Sequence, residues 1–516
     1  MIEIEVKKNK YAYNVYHLVK AFFPGEEVTQ KVDGKQESPV VIRMPEGSCF
    51  CVAAEGAEDP AAADSAGRGR NAEISAQKDD RGIQQEKRDV TRKVYRLLSD
   101  YTGRKLTWGM LTGVRPTKLA MQRLEQAGNG GVPDSEKMGE VVSWLEKEYF
   151  VSREKAVLAA RVAHREKELL SRLDCRDGFS LYVGIPFCPS VCSYCSFSSS
   201  PLEQWKGRVD SYLDALVKEI RALSEMAKGR RLDTVYIGGG TPTTLEPEQL
   251  RRLLACISSE FNLEGALEFT VEAGRPDSIT EEKLAALREY PVSRISINPQ
   301  TMQQKTLDLV GRRHTVQQTV EAFYAARAMG FDNINMDLIA GLPEETAADM
   351  RDTLARIEEL RPDSLTVHAL AIKRAARMGQ EGRTAQLHAE ITRMVDDAAK
   401  SAAGMGLEPY YLYRQKNIAG NFENVGYAEV DKAGIYNILI MEEKQTILAA
   451  GAGASTKFVL PEKVRTEKGK ETNLIRVENV KNIEEYIDRI DEMIERKKRM
   501  GIPFCCEQSG GKDERR

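Results

Sequence analysis

Cys188, Cys192 and Cys195 stand within eight residues, spaced C-x3-C-x2-C in the run YVGIPFCPSVCSYCSF (182–197). Three soft thiolates on one short loop can hold an iron–sulfur cube. A cube has four irons, so three protein ligands leave one iron open. S-adenosylmethionine (SAM) can chelate that iron through its amino and carboxylate groups. One electron from the reduced cluster then breaks the S–C bond and yields a 5′-deoxyadenosyl radical. Such a radical abstracts hydrogen from unactivated carbon, which no side chain can do. A zinc site asks for four ligands, usually in paired C-x2-C units far apart, and no second pair partners this one. A disulfide would leave one thiol over and does not persist in a reducing compartment. Cys49, Cys51, Cys175, Cys256, Cys505 and Cys506 lack ligand spacing. Cys256 lies in an apolar helical pattern and reads as core.

Other residues could serve a bound nucleoside. The run VYIGGGTPTTL (235–245) puts bare glycines after an apolar stretch, where backbone groups can approach a ligand closely. No Gly-Lys-Ser/Thr follows, so it is not a phosphate loop. Glu272, in TVEAGRP, can accept hydrogen bonds from a ribose or an ammonium group. Asp337 sits inside the apolar run NMDLIAGLP, which costs free energy unless the acid is paired. Arg312, in LVGRRHT, offers a planar fork for a carboxylate, with Arg313 an equally charged rival. His368 reads as a packed or solvated imidazole.

These residues must be positioned by regular elements. From about residue 178, short apolar runs alternate with amphipathic helical patterns. The candidate strands are 181–185, 234–237, 267–271, 294–297, 333–339 and 364–369, with helices such as 209–228, 247–261 and 315–329 between them. Strands alternating with helices imply parallel βαβ units, which fit an incomplete barrel as well as an open sheet. Both architectures put chemistry at the carboxyl ends of the strands. Upstream, Ile2, Ile4 and Val6 alternate as in a strand. Residues 55–90 hold no aromatic residue and almost no large aliphatic one. They cannot bury enough surface to offset ordering entropy, so a disordered insertion is expected. After about residue 404 the alternation stops, and the tail GGKDERR reads as loose.

The chain has 516 residues, enough for two or three domains, and 41% hydrophobic residues to build their cores. A formal net charge of -3 argues against a nucleic-acid partner. No run approaches the roughly 18 apolar residues of a membrane span. The first residues lack the apolar core of a secretory signal, so a cytoplasmic location is expected.

The motif Y-V-x-I-P-F-C with C-x3-C-x2-C resembles the oxygen-independent coproporphyrinogen III oxidases (coproporphyrinogen dehydrogenases) of the radical SAM superfamily. The likeness covers about residues 178–375 and continues more loosely to Thr456. The segments WGMLTGVRPTKL (108–119) and PYYLYRQKN (409–417) are similar to the longer Firmicute-type branch. The resemblance implies an α/β fold: a partial (β/α)6 radical SAM barrel over 178–403. An α/β N-terminal domain (1–54 and 91–175) and a smaller C-terminal region (404–516) would accompany it. It implies a [4Fe–4S] cluster on Cys188, Cys192 and Cys195, and SAM contacts from Gly239, Gly240, Thr241, Glu272, Gln300, Arg312, Asp337 and Ala371. Tyr182 and Tyr194 match aromatic positions near the adenosyl group, with core filling as the alternative. The implied activity is oxidative decarboxylation of two propionates of coproporphyrinogen III to vinyl groups, giving protoporphyrinogen IX. Arg115 or Arg312 could pair the substrate's carboxylates. An electron donor such as flavodoxin or ferredoxin is implied, and a monomer is expected. The chain departs from the best-known branch at Phe197, where that branch has a further Cys. Relatives with the same replacement look like haem-binding chaperones, which keeps a haem-binding function as the alternative and would make His368 the axial-ligand candidate.

Overall fold

The computed structural model describes the chain apart from residues 24–25, 35–37, 53–79, 127–133, 197–198, 371–380, 415–421, 466–470 and 501–516. Ala371, Phe197, Cys505 and Cys506 therefore lie outside the described residues. The chain divides into two compact units.

The first unit holds Met1–Arg161 with two short later segments. Its sheet has the order β2-β1-β3-β4, from β1 (Ile2–Val6), β2 (Val28–Val32), β3 (Val40–Arg43) and β4 (Cys49–Val52). In β1 the alternation IEIEV buries Ile2, Ile4 and Val6. Helices α1 (Asn9–Phe22) and α2 (Asp80–Thr102) cover that face. Val90, Val94 and Leu98 recur every fourth residue along α2 and enter the same core. The helix starts inside the segment expected to be a disordered insertion. Residues 80–90 of that segment are helical, and Glu86 on the first turns pairs with Lys10 at 2.7 Å. Residues 55–79 lie outside the described residues. Helices α3 (Thr117–Gln126), α4 (Asp134–Tyr149) and α5 (Arg153–Leu170) follow.

Here the two segments that carried the resemblance to the longer branch meet. Arg414 donates through Nη1 to Leu111 O at 2.7 Å, and its backbone N–H donates to Val114 O at 2.7 Å. The Trp108 indole lies beneath the guanidinium and donates to Glu423 Oε2 at 2.8 Å. Glu423 is also paired with Lys155 at 2.6 Å.

The second unit is built on an eleven-stranded sheet. Its parallel part comprises β5 (Phe179–Ile185), β8 (Leu232–Gly239), β9 (Glu268–Glu272), β10 (Arg294–Ser296), β11 (Ile334–Ala340) and β12 (Ser364–Ala369), adjacent in sequence order. A two-stranded ribbon, β6 (Phe187–Cys188) and β7 (Ser200–Pro201), intervenes after β5. All six expected strands are present. Strictly sequential order means that every crossover steps the same way, which is barrel winding rather than the reversal of an open doubly wound sheet. Helices α6 (Val209–Met226), α7 (Pro247–Glu260), α8 (Glu281–Arg288), α9 (Gln304–Leu309), α10 (Val316–Ala328) and α11 (Ala347–Leu360) run between the strands, and α12 (Glu381–Gly404) follows β12. Reciprocal caps start α10 (Thr315 with Gln318) and α11 (Thr346 with Asp349).

The region after residue 404 is not separate from this sheet. Strands β13 (Glu408–Arg414) and β14 (Glu423–Ala428) extend it beyond β12, with β14 antiparallel. After α13 (Ile435–Glu442), β15 (Thr446–Ala450) pairs parallel with β5 at the other side. Strands β16 (Ser455–Arg465) and β17 (Glu471–Glu478) continue antiparallel to that edge. Among the described residues the sheet keeps two edges, β13 and β17, as in an incomplete barrel. Helices α14 (Ile483–Asp488) and α15 (Ile490–Met500) pack on α6. Lys497 of α15 is fully buried and pairs with the fully buried Glu219 of α6.

The parallel strands are two-faced. One face carries Leu181, Val183, Val235, Ile237, Phe269, Val271, Ile295, Met336, Leu338, Leu365 and Val367, all buried. The other face is polar and bonded across strands. Thr234 Oγ1 donates to Ser180 Oγ at 2.8 Å, Arg294 Nη2 to Ser364 Oγ at 3.3 Å, and Thr366 Oγ1 to Asn335 Oδ1 at 3.1 Å. No described helix is long and apolar enough to cross a membrane.

Candidate active site

The polar face and the loops at its carboxyl end form the site. Strand β5 delivers the chain into the cysteine loop, whose root is fixed by β8. Gly240 N–H donates to Ile185 O and Thr241 N–H to Phe187 O, both at 2.7 Å. This close approach requires glycine: a Cβ on Gly240 would meet Phe187 O at 2.5 Å. The far side of the loop is tied down by Ser193 N–H to Val310 O at 3.1 Å and Ser190 Oγ to Gly311 O at 2.9 Å.

Each thiol has definite surroundings. Cys188 Sγ lies 3.6 Å from Thr241 Oγ1. Burial, with the neighbouring Cys195, pushes the Cys188 thiol up, while Thr241, Ser199 and Arg275 pull it down. Cys192 is buried and takes two guanidinium contacts, from Arg275 Nη1 at 3.5 Å and Arg312 Nη1 at 3.9 Å. Cys195 N–H donates to Cys192 O at 3.0 Å. Among the described residues, no three His, Cys, Asp or Glu side chains converge on a point that a single metal ion could occupy. A cube takes one thiolate per iron at separate corners and does not need that convergence. Three cysteines on one stapled loop, two buried cations against the middle thiol, and nearby buried polar atoms with no partner (Asn298 Oδ1, Gln300 Oε1, Arg312 Nε) fit an anionic cluster with a polar ligand beside it.

Arg275 was not singled out from the sequence. It is 3% exposed, held by Asp277 at 2.7 Å, and also donates to Ser190 O and Oγ. Arg312 is similarly committed, to Tyr194 Oη at 3.2 Å, Gly274 O at 3.2 Å and Asn298 O at 2.5 Å. Its fork therefore clamps the cysteine loop onto the strand ends and is not free to pair a substrate carboxylate. Tyr194 packs with Val310, Ile339 and Leu342.

Glu272 ends β9. Gly238 makes room for it: a Cβ there would lie 2.8 Å from Glu272 Oε2. The carboxyl accepts from Tyr236 Oη and from the Gly239 N–H. Gly239 has φ 110°, a conformation that favours glycine. Burial pushes Glu272 up to about 7. Asp337 adds to the rise, while Tyr236, Gly239 and Arg294 oppose it. Tyr182 stacks on Tyr236 and Tyr436, ring centroids 6.4 and 6.0 Å away. Gln300 stands just past β10 with φ 69°, the left-handed region, costly for a non-glycine residue. Its backbone donates to Asp337 O and accepts from Ile339 N–H, both at 2.9 Å. Asp337 Oδ1 accepts from Asn335 Nδ2 at 2.7 Å, and Oδ2 lies 3.8 Å from His368 Nε2. Burial would raise the Asp337 pKa, but His368, Asn335 and Arg294 outweigh it and hold the carboxyl below its ordinary range.

The missed residues Tyr236, Arg294, Asn335 and Thr366 share one signal. Along each strand of the barrel, polar or aromatic residues alternate with aliphatics at period two, as in T-V-Y-I (234–237) and N-M-D-L (335–338).

Comparison with known proteins gives one consistent neighbourhood. The Radical SAM superfamily model matches residues 182–357. The oxygen-independent coproporphyrinogen-III oxidase-like protein HemZ of Bacillus subtilis (strain 168) is 42% identical over 383 residues, 73% of this chain and 75% of that protein. The heme chaperone HemW of the same organism is 36% identical over 197 residues, 38% of this chain, so the chain spans about half of its length (51%). The solved structure of coproporphyrinogen III oxidase (HemN) from Escherichia coli, a radical SAM enzyme, aligns with a TM-score of 0.48 at 24% identity, covering 64% of this chain and 73% of that one.

Proposed function

This chain belongs to the family of oxygen-independent coproporphyrinogen-III oxidase-like proteins within the radical SAM superfamily, and from that membership we propose that it oxidatively decarboxylates propionate side chains of coproporphyrinogen III to vinyl groups. Members of the superfamily use a [4Fe–4S] cluster and SAM, which together supply a radical able to take hydrogen from unactivated carbon. On this reading Cys188, Cys192 and Cys195 hold the cluster. Arg275 and Arg312 neutralise the buried thiolate side of the loop. The N–H groups of Gly239, Gly240 and Thr241 are committed to Glu272 and to the root of the cysteine loop, so at the end of β8 the carbonyl oxygens of Gly239 and Gly240 are the backbone groups offered to SAM, beside the acceptors Glu272 and Asp337. Gln300 and the Tyr182 ring border the same cleft.

The observation that carries the reading is the two-faced sheet. A barrel whose interior is lined by Ser180, Thr234, Tyr236, Thr270, Arg294 and Asp337 would gain stability from aliphatic residues there. Keeping them polar suits a bound polar cofactor and an acidic substrate. The fully buried Arg294, whose Nε has no partner, adds positive charge to that interior.

A second reading, haem binding without decarboxylation, is supported by the likeness to heme chaperones. Against His368 as the iron ligand stands its geometry, with both ring nitrogens facing protein partners. Anaerobically reconstituted protein with SAM, a reductant and coproporphyrinogen III is the test. Vinyl product with carbon dioxide release is expected. Absence of both, together with a Soret shift on haem titration, would favour the second reading.

A further inference from the structure

His368 and Tyr413 have no part in the proposed decarboxylation, yet they line up with Asp337. Asp337 is the fourth residue of β11 and His368 the fifth of β12. The register sets Ile339 beside His368, so Asp337 is its diagonal neighbour on the polar face. Tyr413 Oη lies 3.3 Å from His368 Nδ1, and His368 Nε2 lies 3.8 Å from Asp337 Oδ2. Both the acid and the imidazole keep part of their surface, 21% and 27%.

The order of donors follows from chemistry. When the tyrosine hydroxyl donates to Nδ1, the ring's Nε2–H faces the carboxylate. Asn335 donates to the other oxygen at 2.7 Å. Asn335 thus bonds one oxygen, while the imidazole faces the other at 3.8 Å, beyond hydrogen-bond distance in this structure. An ionised carboxylate has about four acceptor sites, so each oxygen retains one toward the open side. Two acceptor positions on adjacent oxygens match two neighbouring hydroxyls better than a single ammonium. The charge of Asp337 is already offset by Arg294, so a neutral donor pair is favoured over a further cation.

We infer that His368, oriented by Tyr413, is a positioning residue that presents the Asp337 carboxylate to the vicinal hydroxyls of a ribose. The inference rests on the reading of this cleft as a nucleoside site, and the test separates the two. SAM and its 2′,3′-dideoxyribose analogue are titrated by equilibrium binding into reconstituted protein of equal cluster content. The variants are His368→Phe, His368→Gln, Tyr413→Phe and Asp337→Asn. His368→Phe should weaken SAM by about tenfold while leaving the analogue as in the parent. Tyr413→Phe keeps the imidazole but frees its tautomer, and should cost SAM about threefold. His368→Gln restores an N–H toward Asp337 and should bind SAM within about threefold of the parent. If Asp337→Asn weakens SAM but His368→Phe and Tyr413→Phe do not, or if they weaken SAM and analogue equally, the role of His368 is overturned alone. If Asp337→Asn leaves SAM binding unchanged, the nucleoside reading at this acid falls, and the inference with it.

Discussion

Replacing Gly240 by alanine probes how the cysteine loop is seated. The added Cβ would lie 2.5 Å from Phe187 O, 2.9 Å from Phe187 C and 3.0 Å from Pro186 C. Ordinary contact begins near 3.4 Å, so the backbone must give by about 3.4 − 2.5 = 0.9 Å. All three atoms are main chain, and no flexible side chain can absorb the shift. Overpacking of this kind costs about 1–3 kcal/mol. Moving Phe187 also strains the Thr241 N–H to Phe187 O bond, worth about 1 kcal/mol. The sum is about 2–4 kcal/mol. Cys188 follows Phe187 directly, and ligand constellations tolerate displacements of only about 0.5 Å. Iron and sulfide per chain after anaerobic reconstitution should therefore fall by more than about half, with a lowered melting temperature. Gly207→Ala, where a Cβ meets nothing within 4 Å, is the control. Full iron loading and an unchanged melt in Gly240→Ala would refute the argument that β8 seats the loop.

Serine at Cys188, Cys192 or Cys195 should each abolish the visible absorbance of the reconstituted cluster, whereas Cys256→Ser should leave it intact, as read by iron analysis and spectroscopy. Glu272 makes stability depend on pH. Its folded pKa is raised from 4.5 to about 7, so its contribution is fully present below the ordinary value and is lost as pH rises through 7. That rise corresponds to at most about 3–4 kcal/mol, and partial exposure brings this to about 1–3 kcal/mol. Denaturant melts of the apoprotein should show that decline, and Glu272→Gln should flatten it; an unchanged slope would count against the burial argument. Lys497→Met strands the buried Glu219 charge and should cost about 3–5 kcal/mol. Lys497→Met with Glu219→Gln removes the stranded charge while keeping an acceptor for Gly451 N–H, Asn479 and Tyr486, and should recover part of that loss in the same melts.

The six parallel strands were legible because each is a short aliphatic run bounded by turn residues, and their periodicity survives any packing detail. The cysteine loop was legible because its three ligands are local. The edges of the sheet were not. β15 joins β5 across 267 residues of chain (446 − 179), and nothing in TILAA says that it pairs there. A comparable sequence separation hides the union of Arg414 with Leu111 and Val114, although each segment is conspicuous on its own. Arg312 was read as a free fork because a sequence does not reveal that Gly274 O and Asn298 O converge on it. The helical start of α2 is masked by its polarity: ahead of Val90, Glu86 ties residues 80–89 to Lys10 and Tyr11 of α1.

The pairing of β5 with β15 also sets a schedule for synthesis. At roughly 5–20 residues per second, the ribosome needs on the order of tens of seconds to make the stretch between them. Throughout that interval the strand that leads into the cysteine loop lacks one of its two flanking neighbours. Three thiols wait on a half-flanked strand while the rest of the sheet is still being made. Oxidant or stray metal reaching the nascent chain has its longest opportunity then, before the last parallel strand arrives.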